Sequence, residues 1–100
     1  MRFDSIHNYY ETLVFRELIE TFVEDINNID DDHVQDIACI ALNMLPARYV
    51  RHDVDMAFFL TSQERSAMDK AVKEAVIKSK IHVDRQDDDT PARPNTYKNV

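Results

Sequence analysis

The chain has 100 residues, which is one domain's worth, and a formal net charge of −7 at pH 7. Because binding to double-stranded DNA rests largely on phosphate neutralisation, that balance argues against a nucleic-acid polymer as partner. The sequence holds no glycine, which excludes the P-loop and the dinucleotide-binding glycine fingerprint and makes a hairpin-rich sheet fold a poor expectation.

Phe3, Ile6, Tyr9, Tyr10, Leu13, Val14, Leu18, Phe22 and Ile26 recur at spacings of three and four. That period predicts a first helix over about residues 5 to 27, capped by Asp4 or Ser5 and ended by Asn27 and Asn28. Its wide aromatic face, with Tyr9, Tyr10, Phe15 and Phe22, reads as core. An acidic connection follows, including Glu24, Asp25, Asp30, Asp31 and Asp32, and no lysine or arginine occurs from residue 17 to 47. Asp30-Asp31-Asp32-His33 lacks the central glycine, alternating oxygens and terminal glutamate of a calcium loop. It reads as a solvated loop whose last aspartate caps the next helix.

The second helix reads Val34 to Leu45 and is apolar on nearly all sides, which places it centrally. Asp36 and Asn43 are seven apart and share one stripe. Pro46 stops the helix, because the residue before proline is pushed out of the α region. In residues 47 to 60, Arg48, Arg51 and His52 form a short basic cluster. Val54, Met56, Phe58 and Leu60 alternate as a half-buried extended segment would. This stretch is therefore expected to be an ordered loop or a short extended piece.

Thr61-Ser62-Gln63-Glu64 has capping-box spacing. The third helix follows with Met68, Ala71, Val72, Ala75 and Val76 on one face, and is expected to end near Lys80. From Asp84 onward the chain is polar and holds two of its three prolines, so residues 84–100 are expected to be a disordered tail. The expected architecture is all-α, a small helical domain of three main helices over residues 1–83.

Chemistry is sparse. The single cysteine, Cys39, permits no internal disulfide and fits a reducing compartment, and within an apolar helix it is expected to be buried and inert. The four histidines show no metal spacing. No apolar run approaches the roughly 20 residues of a membrane span, and the polar start Met1-Arg2-Phe3-Asp4 shows no signal peptide. The expectation is a cytoplasmic, non-enzymatic protein without a cofactor. Pro46-Ala47-Arg48-Tyr49-Val50-Arg51-His52 does combine guanidinium groups, which grip phosphate or the guanine edge, with a ring that can stack on a base. On composition alone the favoured explanation is a surface loop whose arginines pair with nearby acids such as Asp53 and Asp55.

Two stretches carry a resemblance. Asn8-Tyr9-Tyr10-Glu11-Thr12-Leu13-Val14 is similar to the Asn-Tyr-x-Glu-x-Leu-Val opening of the late competence development protein ComFB family. Asp36-Ile37-Ala38-Cys39-Ile40-Ala41-Leu42-Asn43-Met44-Leu45-Pro46-Ala47-Arg48-Tyr49-Val50 resembles that family's Asp-Ile-x-Ala-x-Ala-Leu-Asn-x-Leu-Pro-x-Arg-Tyr-Val signature. The resemblance covers about residues 5 to 80. It implies a small helical homodimer with a signalling role in competence or motility, acting through a protein effector. It further implies a cyclic dinucleotide ligand, c-di-GMP or c-di-AMP, since some members are receptors for these messengers. On that reading Arg48, Arg51 and Tyr49 grip phosphate and base, and Asn43 and Asp36 supply hydrogen bonds to base edges. The alternative is a ligand-free interaction module. Many members carry a zinc-holding cysteine cluster just before the Asp-Ile motif. Here that stretch is Asp31-Asp32-His33-Val34-Gln35, with no cysteine, so zinc is not expected.

Overall fold

In a computed structural model, residues 1–25 and 28–89 are described. The chain is mainly helical, as expected. In order it forms a two-residue strand β1 (His7–Asn8), helix α1 (Tyr9–Thr21), a 3-10 turn (Val23–Asp25), helix α2 (Asp31–Met44), strand β2 (Tyr49–Val50), a short helix α3 (Val54–Phe59) and a long helix α4 (Ser62–Asp89).

Helix α1 starts later than its apolar period suggests. Asn8, not Asp4 or Ser5, is the cap: its Oδ1 accepts from the Tyr10 amide at 3.1 Å, and Glu11 reaches back to the Asn8 amide at 3.3 Å. The residues before it are used elsewhere, since His7 and Asn8 pair antiparallel with Val50 and Tyr49. The helix also ends early, at Thr21. The Thr21 hydroxyl bonds back to the Glu17 carbonyl at 2.8 Å, a pattern that bends and weakens a helix. Glu24 and Asp25 follow at an end where the macrodipole disfavours negative charge. Ile26 and Asn27, at the expected end of this helix, lie outside the described residues.

Helix α2 starts three residues before the expected Val34. Asp30, the first aspartate of the run and not the last, caps it by accepting from the Asp32 amide at 3.1 Å. Leu45 closes it before Pro46. The helix packs against both α1 and α4, yet it is not covered all round. Ile37 and Ala41 have no exposure, whereas Met44 and Cys39 face outward. Cys39 is thus exposed, contrary to the buried position expected of it.

Of residues 47 to 60, only Tyr49–Val50 form a strand. Beyond it, Val54–Phe59 is helical, with Met56 and Leu60 turned inward and Phe58 and Phe59 outward. Positions four apart share a side in helix and strand alike, so this short pattern fits both. Helix α4 opens with the expected capping box: the Glu64 amide donates to Thr61 Oγ1 at 3.1 Å, and the Thr61 amide donates to Glu64 at 3.4 Å. It runs past Lys80 to Asp89. Val83 is fully buried, and Asp84 accepts from Lys80 at 2.7 Å and from His33 of α2 at 3.0 Å. The expected disordered tail therefore does not begin at Asp84; its remaining part, residues 90–100, lies outside the described residues.

The core is the meeting of three faces: Leu13, Val14 and Leu18 of α1, Ile37 and Ala41 of α2, and Val72, Val76 and Val83 of α4. Ser79 is buried among them and donates to the Ala75 carbonyl at 2.6 Å, so its hydroxyl is satisfied within its own helix.

Candidate functional site

The basic loop after α2 is held through the backbone of Arg48, and its two arginine side chains are exposed. The Arg48 amide donates to Asn8 Oδ1 at 2.9 Å, and the Arg48 carbonyl accepts from the Tyr9 amide at 2.7 Å. One side-chain oxygen of Asn8 thus caps α1 and anchors the loop. The structure hydrogen-bonds the Asn8–Val14 stretch to the Asp36–Val50 stretch through the β1–β2 ribbon.

A second clasp lies on the same edge. His7 Nε2 sits 2.5 Å from Asp53 Oδ1, and His7 Nδ1 sits 2.9 Å from the Ser5 carbonyl. Both ring nitrogens face acceptors, the arrangement that suits the doubly protonated imidazolium. Thr12 donates to the other Asp53 oxygen at 2.7 Å. The Asp53 bond, and then the Ser5 carbonyl, raise the His7 pKa above its ordinary value. The bonds from His7 and then Thr12 hold the Asp53 carboxyl below its own. Asp84 is also held low: its partial burial opposes the charge, but the bond and charge of Lys80, with His33 behind them, outweigh it.

Because Asp53 is engaged by His7 and Thr12, it does not neutralise the loop arginines. Among the described residues neither Arg48 nor Arg51 is in an ion pair, and both are exposed. Tyr49, between them, is 70% exposed and so is not a core ring. Arg48 lines a cleft of about 310 Å³ together with Tyr10, Pro46, Leu60, Glu64 and Met68; Tyr49 and Arg51 are not among its lining residues. Asn43 is exposed near the end of α2. Asp36 is not brought to this surface: at 0% exposure it is enclosed within the packing of α2. The stripe it shares with Asn43 is covered at one end and open at the other.

Asn8 stands in the family-like opening, but its capping and anchoring roles, and the His7–Asp53–Thr12 clasp, were not foreseen from the sequence. Asn8-x-x-Glu11 does have capping-box spacing, which was the available signal. Nothing local could have paired residues 7 and 53. Among the described residues no group of three or more His, Cys, Asp or Glu could hold a metal ion. No helix among them is long and apolar enough to cross a membrane.

Comparison with curated proteins, and separately with solved structures, gives no match. Comparison with protein families does: residues 7–87 match the family described as late competence development protein ComFB, a span that takes in the β1–β2 ribbon, the arginine loop and nearly all of α4. The chain belongs to the ComFB family.

Proposed function

We propose that this competence-related protein is a non-enzymatic cytoplasmic receptor for a cyclic dinucleotide, working as a homodimer and signalling through a protein effector. The observation that supports this most directly is the exposed Tyr49 set between two arginines that, among the described residues, no carboxylate neutralises, on a backbone pinned by Asn8. A guanidinium left unpaired in water is available for bidentate phosphate contact, and an exposed ring offers a base a stacking face. A cyclic dinucleotide has two phosphates and two bases related by a two-fold axis, and a C2 dimer offers each loop twice. Asn43 is open to add a polar contact. The enclosed Asp36 serves the packing of α2, and no ligand bond is assigned to it.

The test is a thermal-shift and calorimetric titration with c-di-GMP and c-di-AMP, since a ligand that binds only the native state raises the melting temperature. Arg48→Ala and Arg51→Ala are expected to abolish binding while leaving the unliganded melting temperature within about 2 °C of the parent, as exposed substitutions do. Absence of heat and of any shift with both nucleotides on folded protein refutes the receptor reading. A second reading, a ligand-free interaction module, is favoured by the open apolar groove between α1 and α2.

A further inference from the structure

On the side of α1 facing α2, away from the arginine loop in sequence, an apolar groove of about 250 Å³ lies open between the two helices. Phe15, Leu18, Ile19 and Phe22 form one wall, and Val34 and Ala38 line the other. Phe15 is 47% exposed and Ile19 61%. Apolar side chains grouped in a concave strip form the kind of surface on which a partner can dock.

The charge around the groove specifies what docks there. Every described lining residue falls between positions 15 and 38, and from 17 to 47 the chain holds eight carboxylates and neither lysine nor arginine. Asp31 lines the groove itself, and Glu24 on the 3-10 turn and Asp32 in the first turn of α2 are exposed beside it in sequence; Glu20 lines the cleft toward α4. The nearest cation on α1, Arg16, lines the cleft toward α4 instead. A second copy docking groove to groove would be isologous, setting this acidic border against itself, and like charges opposed across an interface are unfavourable. A basic occupant removes that repulsion.

We infer that the α1–α2 groove receives an amphipathic helix of a partner protein, with an apolar face at i, i+3, i+4 and i+7 and lysine or arginine on its flanks. The apolar face fills the concave strip in the helix-in-groove manner. The basic flanks meet the acidic border, which speeds encounter and fixes orientation. This surface is independent of the nucleotide reading, so either can fail without the other.

The probe is a fluorescein-labelled synthetic helix of roughly 16 residues, about 24 Å long, with leucine at the four-and-three spacing and lysine elsewhere. Its twin carries glutamate in place of lysine. Fluorescence anisotropy with the full chain, in the absence of nucleotide, is expected to show binding of the lysine peptide that weakens as salt rises and no binding of the glutamate twin. Ile19→Lys, at an exposed position where circular dichroism verifies that the fold is kept, is expected to weaken binding by roughly tenfold or more. Ile77→Lys, on α4 outside the groove, is expected to leave it unchanged. The inference is overturned if the lysine peptide does not bind, if the glutamate twin binds as well, or if Ile77→Lys weakens binding as much as Ile19→Lys. It is also overturned if sedimentation shows a dimer that Ile19→Lys converts to monomer, since a second copy then occupies the groove.

Discussion

Asn8→Ala removes one oxygen and two functions. Asn8 Oδ1 accepts from the Tyr10 amide at the start of α1 and from the Arg48 amide forty residues on. Loss of a helix cap costs about 1 kcal/mol. Loss of the Arg48 bond adds about 0.5 kcal/mol, the low end for a net hydrogen bond, because the freed amide lies where water can replace the acceptor. In a domain of this length each kcal/mol moves the melting temperature by about 4–8 °C, so Asn8→Ala is expected to melt roughly 6–12 °C below the parent. Asn8→Asp keeps the oxygen, is as good a cap, and places negative charge at the favourable end of α1, so it is expected to melt close to the parent. Amide hydrogen exchange supplies the second readout: exchange at Arg48 is expected to accelerate in Asn8→Ala and not in Asn8→Asp. If Asn8→Ala melts within about 2 °C of the parent, or if the aspartate variant falls as far as the alanine one, the double role given to this side chain is wrong.

The His7–Asp53 clasp makes stability pH-dependent in a definite direction. His7, with its pKa raised, contributes fully below the ordinary histidine value and loses that contribution as pH rises through the raised one. Asp53, held low, contributes above the ordinary carboxylate value and fails only as pH falls through its depressed one. The gap in melting temperature between the parent and His7→Gln should therefore be widest in the mildly acid range and close in alkaline buffer; a gap indifferent to pH rules the clasp out. Ile37→Ala, at a site with no exposure in the middle of α2, should destabilise by about 3 kcal/mol, read as a lower urea midpoint at unchanged slope. Val83→Ala tests the extension of α4 beyond Lys80: a loss of roughly 1.5–3 kcal/mol is expected if Val83 is packed, and near zero if this stretch lies free in water.

What the sequence made legible was local. Pro46 ends α2, Thr61 and Glu64 open α4, and the spacing of Leu13, Val14 and Leu18 marks the buried side of α1. The errors arose where a distant partner decides. The start of α1 is set by an asparagine also engaged with Arg48, so the apolar period upstream of it is misleading. The last turns of α4 look too polar to order themselves, yet Val83 packs into the core and Asp84 is met by His33, fifty-one residues away. Cys39 illustrates a different limit. A helix apolar all round does not say which side its neighbours cover, and the covered side proved to be the one bearing Ile37 and Ala41. The loop arginines were visible as a cluster, but that Asp53 is diverted from them to His7 and Thr12 was not.

No described residue has a positive φ, in keeping with a chain that lacks glycine. Every bend around the Pro46–Asp53 loop therefore uses dihedrals open to any L-amino acid. The identities of Arg48, Tyr49 and Arg51 are for that reason not dictated by the path of the main chain. A library randomised at these three positions, proline excluded because the Arg48 amide donates to Asn8 and Tyr49 sits in the ribbon, should yield folded proteins almost throughout, so whatever narrows under selection for signalling reports chemical contact.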